Sequence, residues 1–144
     1  MARKSQAIGA AGDEQGAAAL ARFGVLLLEK VATPIRRIPH PNPQIAAQGY
    51  CKIIYGEPVS GDWRGVWMDG TSVLAEIKTA FDRNLRWSDF DDHQPGDLSA
   101  HAALAMSLLV WVSSAGIFIL RWPVPGFGPG QGLTVERARE LDRQ

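Results

Sequence analysis

Apolar positions fall into short blocks separated by glycine, proline and charge. Gly12 to Phe23 is alanine-rich, and its acids Asp13 and Glu14 come early, where the positive end of a helix favours them. This predicts a helix over 12–23, stopped by Gly24. Val25-Leu26-Leu27-Leu28 is a continuous apolar run of strand length and predicts a buried strand. Residues 32–48 contain Pro34, Pro39, Pro41 and Pro43. That density argues against a regular helix and predicts an extended excursion or loop. Tyr50 to Tyr55 is rich in strand formers.

The clearest local signal is Asp69-Gly70 between Asp62–Met68 and Thr71–Thr79. The dipeptide tolerates positive φ at both positions and predicts a two-residue turn joining two antiparallel strands. Residues 80–96 are charged and turn-rich. Asp97 can cap a helix running to about Trp111, because Leu104, Leu108 and Trp111 recur at helical spacing. Gly116 precedes a strand, Ile117 to Leu120, and residues 123–132 form a Pro/Gly linker. Thr134 to Arg143 predicts a short amphipathic helix capped by Thr134. The order helix, strand, hairpin strands, helix, strand is that of an α/β domain with a mixed central sheet flanked by helices. The expected organisation is a flexible basic arm over 1–11, a domain over 12–122 and a linker with a C-terminal helix over 123–144.

Charge adds position rather than sign. The 15 basic and 15 acidic residues cancel. Arg3, Lys4, Arg22, Lys30, Arg36 and Arg37 nevertheless dominate the first 37 residues, and the stretch from Asp62 to Asp97 is acid-rich. A basic surface beside an acidic pocket suits a protein that places a divalent metal between itself and phosphate. Cys51 stands alone, so an intrachain disulfide is excluded and a reducing cytoplasm is expected. The apolar run Leu104 to Val112 is too short for a membrane span. His40, His93 and His101 lack zinc-site spacing.

Glu76-Ile77-Lys78 sits on the second hairpin strand, where alternate side chains share a face. Glu76 and Lys78 should therefore point together, with Ile77 toward the core. Asp62 on the neighbouring strand would give the second carboxylate of a compact acidic site suited to Mg²⁺. Lys78 could then orient the attacking water or stabilise transition-state charge. A two-residue turn at Asp69-Gly70, however, pairs Met68 with Thr71 and Trp63 with Glu76. Asp62 would face Ile77 and point to the wrong side unless the hairpin bulges at Gly61 or Gly65.

Several runs together resemble the RecU-type Holliday junction resolvases of the PD-(D/E)xK nuclease superfamily. Lys30-Val31-Ala32-Thr33-Pro34-Ile35 is similar to their K-x-P-T-P-I, with alanine for the first proline. Gly61-Asp62-Trp63-Arg64-Gly65-Val66 resembles T-D-Y-N-G-V, and Leu74-Ala75-Glu76-Ile77-Lys78-Thr79 resembles F-E-A-K-E-T. Asp89-Phe90-Asp91-Asp92-His93-Gln94 is similar to N-F-H-x-H-Q, and Gly116-Ile117-Phe118 to the G-I-x-F strand. The resemblance spans about 12–122 in one order and leaves the segment after Trp122 unmatched.

The resemblance implies a restriction-endonuclease-like core and a homodimer that cuts opposing strands of a four-way DNA junction with Mg²⁺, or Mn²⁺ in its place. It implies metal ligands at Asp62, Glu76 and Glu14, with Asp13 or Glu29 as substitutes for Glu14. Lys78 takes the lysine role and Gln94 the glutamine role, His101 competing for the latter. The proline-rich excursion corresponds to a stalk inserted into the junction, which makes Arg36 and Arg37 phosphate contacts. Arg3, Lys4 and Arg64 complete the candidate DNA-binding residues. Trp63 and Trp87 could stack on unpaired bases or pack in the core. The expected function is thus a cytoplasmic, Mg²⁺-dependent junction-resolving endodeoxyribonuclease. The alternatives are another PD-(D/E)xK nuclease acting on ends or flaps, and a junction-binding protein without catalysis.

Overall fold

Hydrophobic residues gather on both faces of one mixed five-stranded sheet, and helices cover both. The computed structural model describes residues 2–31, 35–55 and 63–144, with backbone alone for 2–9, 35–37 and 52–55. In chain order the elements are α1 (Ala2–Phe23), β1 (Val25–Lys30), β2 (Ile35–Pro39), α2 (Pro43–Ala47), β3 (Cys51–Tyr55), β4 (Trp63–Trp67) and β5 (Ser72–Thr79). They continue as β6 (Leu85–Arg86), a 3-10 turn (Trp87–Asp89), α3 (Gln94–Ala102), β7 (Met106–Ser113), β8 (Gly116–Arg121), β9 (Gly132–Leu133) and α4 (Val135–Leu141). The main sheet runs β1-β4-β5-β7-β8. Only β5 and β7 are parallel, and α3 makes the crossover between them. Among the described residues no helix is long and apolar enough to cross a membrane.

Alternation along β5 divides the core. Val73, Ala75 and Ile77 face α1 together with Leu108, Val110 and Val112 of β7. Gly12 and Gly16 bring α1 against Thr79 and Ile77, and a Cβ on Gly16 would lie 2.6 Å from Ile77 Cγ2. Leu74, Leu109, Trp111, Phe118 and Leu120 face the other way, toward α3, α4 and the segment after β8. Leu98 of α3 is fully buried there, and its carbonyl accepts from Ser107 Oγ at 2.7 Å.

Several expectations are corrected. α1 begins at Ala2, so the residues read as a basic arm are helical from there on. Nothing in Ala2-Arg3-Lys4-Ser5-Gln6-Ala7 stops a helix, and most of these residues favour one. β1 is an outer strand and not a buried one: Val25 is buried, but Leu26 and Leu27 are 53% and 83% exposed. Its register against β4 slips by one residue between Leu26 and Glu29, so Leu27 and Leu28 oppose the single residue Gly65. Leu27 takes a left-handed φ of 52° at this bulge, and Gly65 has no room for a Cβ under Val25.

The proline-rich excursion holds regular structure. β2 and β3 form a two-stranded antiparallel ribbon, and α2 fills the connection. A helix is permitted because Pro43 stands at its start, where no N–H is needed, and Asn42 caps it by accepting from Gln44 N–H.

The helix expected to reach Trp111 ends at Ala102, and Met106–Ser113 is the central strand β7. Both faces of β7 are buried, so its sequence does not alternate and the leucine spacing imitated a helical stripe. Leu104, placed on that stripe, is 92% exposed. Residues 123–132 are not a bare linker either, since Val124 and Phe127 are buried in the core. α4 follows with Thr134 as its N-cap, as expected. The chain then runs along β8: Arg143 N–H donates to Ile119 O at 2.9 Å, and Asp142 Oδ1 accepts Ile119 N–H at 3.0 Å. Gln144 Nε2 donates to Ile117 O at 2.6 Å.

Candidate functional site

The β4–β5 hairpin is present, but its turn contains three residues, Met68-Asp69-Gly70. Trp67 N–H donates to Thr71 O at 2.8 Å, and Gly70 N–H donates to Trp67 O at 2.8 Å. Gly70 adopts φ 92°, which suits the glycine of a bulged turn. Asp69 Oδ1 accepts Thr71 N–H at 2.9 Å, and hydrogen bonds from Thr71 hold the Asp69 carboxyl below its usual range. The added loop residue moves the register by one. Trp63 pairs with Ala75, and Arg64 with Leu74, instead of Trp63 with Glu76. The hairpin's irregularity lies in its turn at Gly70, and Gly65, one of the two positions expected to bulge, pairs regularly with Val73 and faces the bulge of β1 instead. Asp62 and Gly61 lie outside the described residues.

On β5, Glu76 and Lys78 share the face of Leu74, opposite α1, and Ile77 points under α1. Glu76 is 1% exposed and Lys78 is half-buried. A buried carboxylate is costly unless it is hydrogen-bonded. Gln94, the first residue of α3, is also buried and reaches between the two. Its Oε1 accepts from Lys78 Nζ at 2.7 Å and from Asp91 N–H at 2.9 Å. Its Nε2 donates to Glu76 Oε2 at 3.3 Å. Both ends of the amide are therefore used, and its orientation follows from its partners. Lys78 Nζ also stands over the Phe90 ring, 5.1 Å from its centroid.

The turn that delivers Gln94 is braced by Asp89. Arg83 donates to both of its carboxylate oxygens, at 2.8 and 2.9 Å, and Arg86 N–H donates at 2.8 Å. Partial burial pushes the Asp89 carboxyl up, but these hydrogen bonds and the charge of Arg83 outweigh it and hold the group below its ordinary value. The roles of Phe90, the Asp91 N–H and the Arg83–Asp89 pair do not follow from the sequence pattern, whose one signal for them is the run Asp89 to Gln94.

The other candidates separate. Glu14 is exposed on α1, which covers the face of β5 opposite Glu76. Asp13, its substitute, pairs with Lys30 at 3.0 Å, and Glu29 is exposed on β1 opposite Arg64. Arg64 is exposed on the Glu76 face, where it lines a groove with Asp97 and His101. His101 Nε2 lies 3.3 Å from Ser72 O, so Gln94 and not His101 meets Glu76 and Lys78. Arg3 and Lys4 lie in the first turn of α1, and Arg36 and Arg37 lie on β2 opposite Ile54 and Ile53. The side chains of these four are outside the description.

Trp63 packs against the α1-side core and Trp87 against the aromatic cluster of the other face. Among the described residues no three His, Cys, Asp or Glu side chains converge as metal ligands. Glu76 supplies a hard oxygen donor, and Lys78 and Gln94 supply a cation and an amide beside it. Such a set can bind and orient an oxyanion and its attacking water. No protein-family model matches the chain, and no curated protein does either.

Proposed function

We propose that the chain is a metal-dependent DNA endonuclease of the PD-(D/E)xK kind that resolves four-way junctions as a homodimer. The observation that carries this reading is the Lys78–Gln94–Glu76 arrangement, in which one buried amide fixes a lysine and a carboxylate on the same strand face. A surface ion pair would need neither burial nor a bridging amide. The finer fold reading is a restriction-endonuclease-like core. In support, α1, antiparallel β1, β4 and β5, crossover α3 and parallel β7 follow one another around the E-x-K strand.

Asp62, outside the described residues, is the second carboxylate of this proposal. Two carboxylates with water and phosphate oxygens suit Mg²⁺, or Mn²⁺ in its place. Such an ion, when bound, polarises the phosphoryl oxygen and lowers the pKa of its water. Lys78 would neutralise charge growing on the phosphate, and Gln94 would hold Lys78 and Glu76 at fixed separation. Arg64, on the same face, would contact the strand backbone. The β2–β3 ribbon with Arg36 and Arg37 would serve as the stalk.

The test is incubation with a synthetic four-way junction, and separately with linear duplex, in Mg²⁺ and in EDTA. Paired symmetric nicks in the junction alone are expected, lost in Asp62→Asn, Glu76→Gln and Lys78→Ala. Equal cutting of duplex would overturn junction resolution, and cutting in EDTA would overturn the metal mechanism.

A further inference from the structure

The segment after β8 folds back over the Lys78 face of the sheet. Val124, Phe127 and Leu133 are buried beside Phe90 and Trp122. β9 then pairs with β6, Arg86 opposite Gly132, and Trp87 N–H donates to Gln131 O at 3.1 Å. Beside this pair lies an open cavity of about 460 Å³ lined by Asn84, Arg86, Trp87, Ser88 and Gln131 together with Gly130 and Gly132. Its volume is that of a small-molecule site.

The lining has a definite chemistry. Arg83 is hydrogen-bonded to both oxygens of Asp89; Arg86 also lies within electrostatic reach of that carboxylate, but its exposed guanidinium lines the cavity. Among the described residues the lining carries one guanidinium and no carboxylate. Asn84 and Gln131 offer amide donors and acceptors, and Ser88 a hydroxyl. Trp87 is half-buried and braced by Trp122, stacked at 5.7 Å, and by the edge of Phe127 at 5.4 Å. Its ring lies 6.1 Å from Phe90, the ring on which Lys78 Nζ rests. Two aromatic rings, Trp87 and then Phe90, therefore separate the cavity from the candidate site.

We propose that this cavity holds one nucleotide of a DNA strand, next to the phosphodiester addressed by Lys78 and Glu76. Arg86 would take the phosphate, and Trp87 with the two amides would take the base. A bare anion would leave the indole and amides idle, and an uncharged heterocycle would leave the guanidinium idle. The placement beside the scissile phosphate rests on the nuclease reading; the ligand class does not.

The test is binding of a short fluorescein-labelled single strand in EDTA, where no metal-dependent cutting occurs. Thymidine monophosphate, thymidine and inorganic phosphate serve as competitors. Arg86→Ala and Gln131→Ala change exposed side chains and should fold. Arg86→Ala should weaken the strand roughly tenfold and reduce the salt slope by about 0.7. Gln131→Ala should weaken it by a smaller factor, and the monophosphate should compete better than thymidine or phosphate. Wild-type affinity and slope in Arg86→Ala, no binding by the wild type, or equal competition by inorganic phosphate would each overturn the proposal. Failure of the two readings is distinguishable. Lys78-dependent cutting in Mg²⁺ with normal binding by Arg86→Ala removes the cavity alone. Absent cutting with binding lost in Arg86→Ala removes the nuclease alone.

Discussion

Lys78 and Glu76 stand two residues apart on one strand, yet both are held by Gln94 from another element. The Lys78 ammonium meets the oxygen of that amide and the Glu76 carboxylate meets its nitrogen. Gln94→Ala removes both bonds, together with the one from Asp91 N–H, and leaves a buried carboxylate short of a donor, at a cost of about 1–3 kcal/mol. On the nuclease reading, junction cleavage should fall about 10- to 100-fold with little change in substrate affinity. Single-turnover cleavage and urea unfolding on the same sample check both, and an unchanged rate would remove Gln94 from the site.

Gly16 lets α1 approach Ile77 without a Cβ between them. Gly16→Ala should gain helix propensity of up to about 1 kcal/mol but lose about 1–3 kcal/mol to overpacking. A net loss of stability is therefore expected. In a background of Ile77→Ala, which removes the Cγ2 atom nearest the new Cβ, Gly16→Ala should cost less than it does alone, and urea midpoints of both singles and the double decide the matter.

Leu27 sits exposed at a left-handed φ that leucine disfavours. Leu27→Gly should relieve strain of about 1 kcal/mol and raise the thermal midpoint, while Leu27→Val should lower it. A lower midpoint for the glycine variant would contradict the bulge.

Asp89 braces the turn before Gln94, with its carboxyl held below the ordinary value of 3.8. A depressed folded pKa means that its stabilisation is present above the unfolded value and is lost as pH falls through the folded one. The stability difference between wild type and Asp89→Asn should thus be constant at neutral pH and shrink below about pH 4. Urea titrations across that range test it. A difference that grew on acidification would reverse the sign.

What the sequence disclosed depended on how local the physics was. Glu76 and Lys78 sharing a face follows from strand geometry alone, and Thr134 capping α4 follows from one hydroxyl. The hairpin was legible, but its register was not. Asp69-Gly70 fits a two-residue turn, and only the bond from Gly70 N–H to Trp67 O reveals the third loop residue. β7 was misread because burial on both faces erases alternation. The packing of residues 123–133 was not legible because Val124, Phe127 and Leu133 find their partners on distant elements.

The bonds from Asp142, Arg143 and Gln144 to Ile117 and Ile119 occupy the outer rim of β8. Three residues of irregular backbone on a sheet rim open more readily than core strands do. The exposure of that rim is therefore governed by a local equilibrium, decoupled from the global unfolding of the sheet. A variant lacking these bonds would keep its core yet present a bare strand as a template for association. Shelf life in concentrated solution would then respond to these three residues while the melting temperature barely moved.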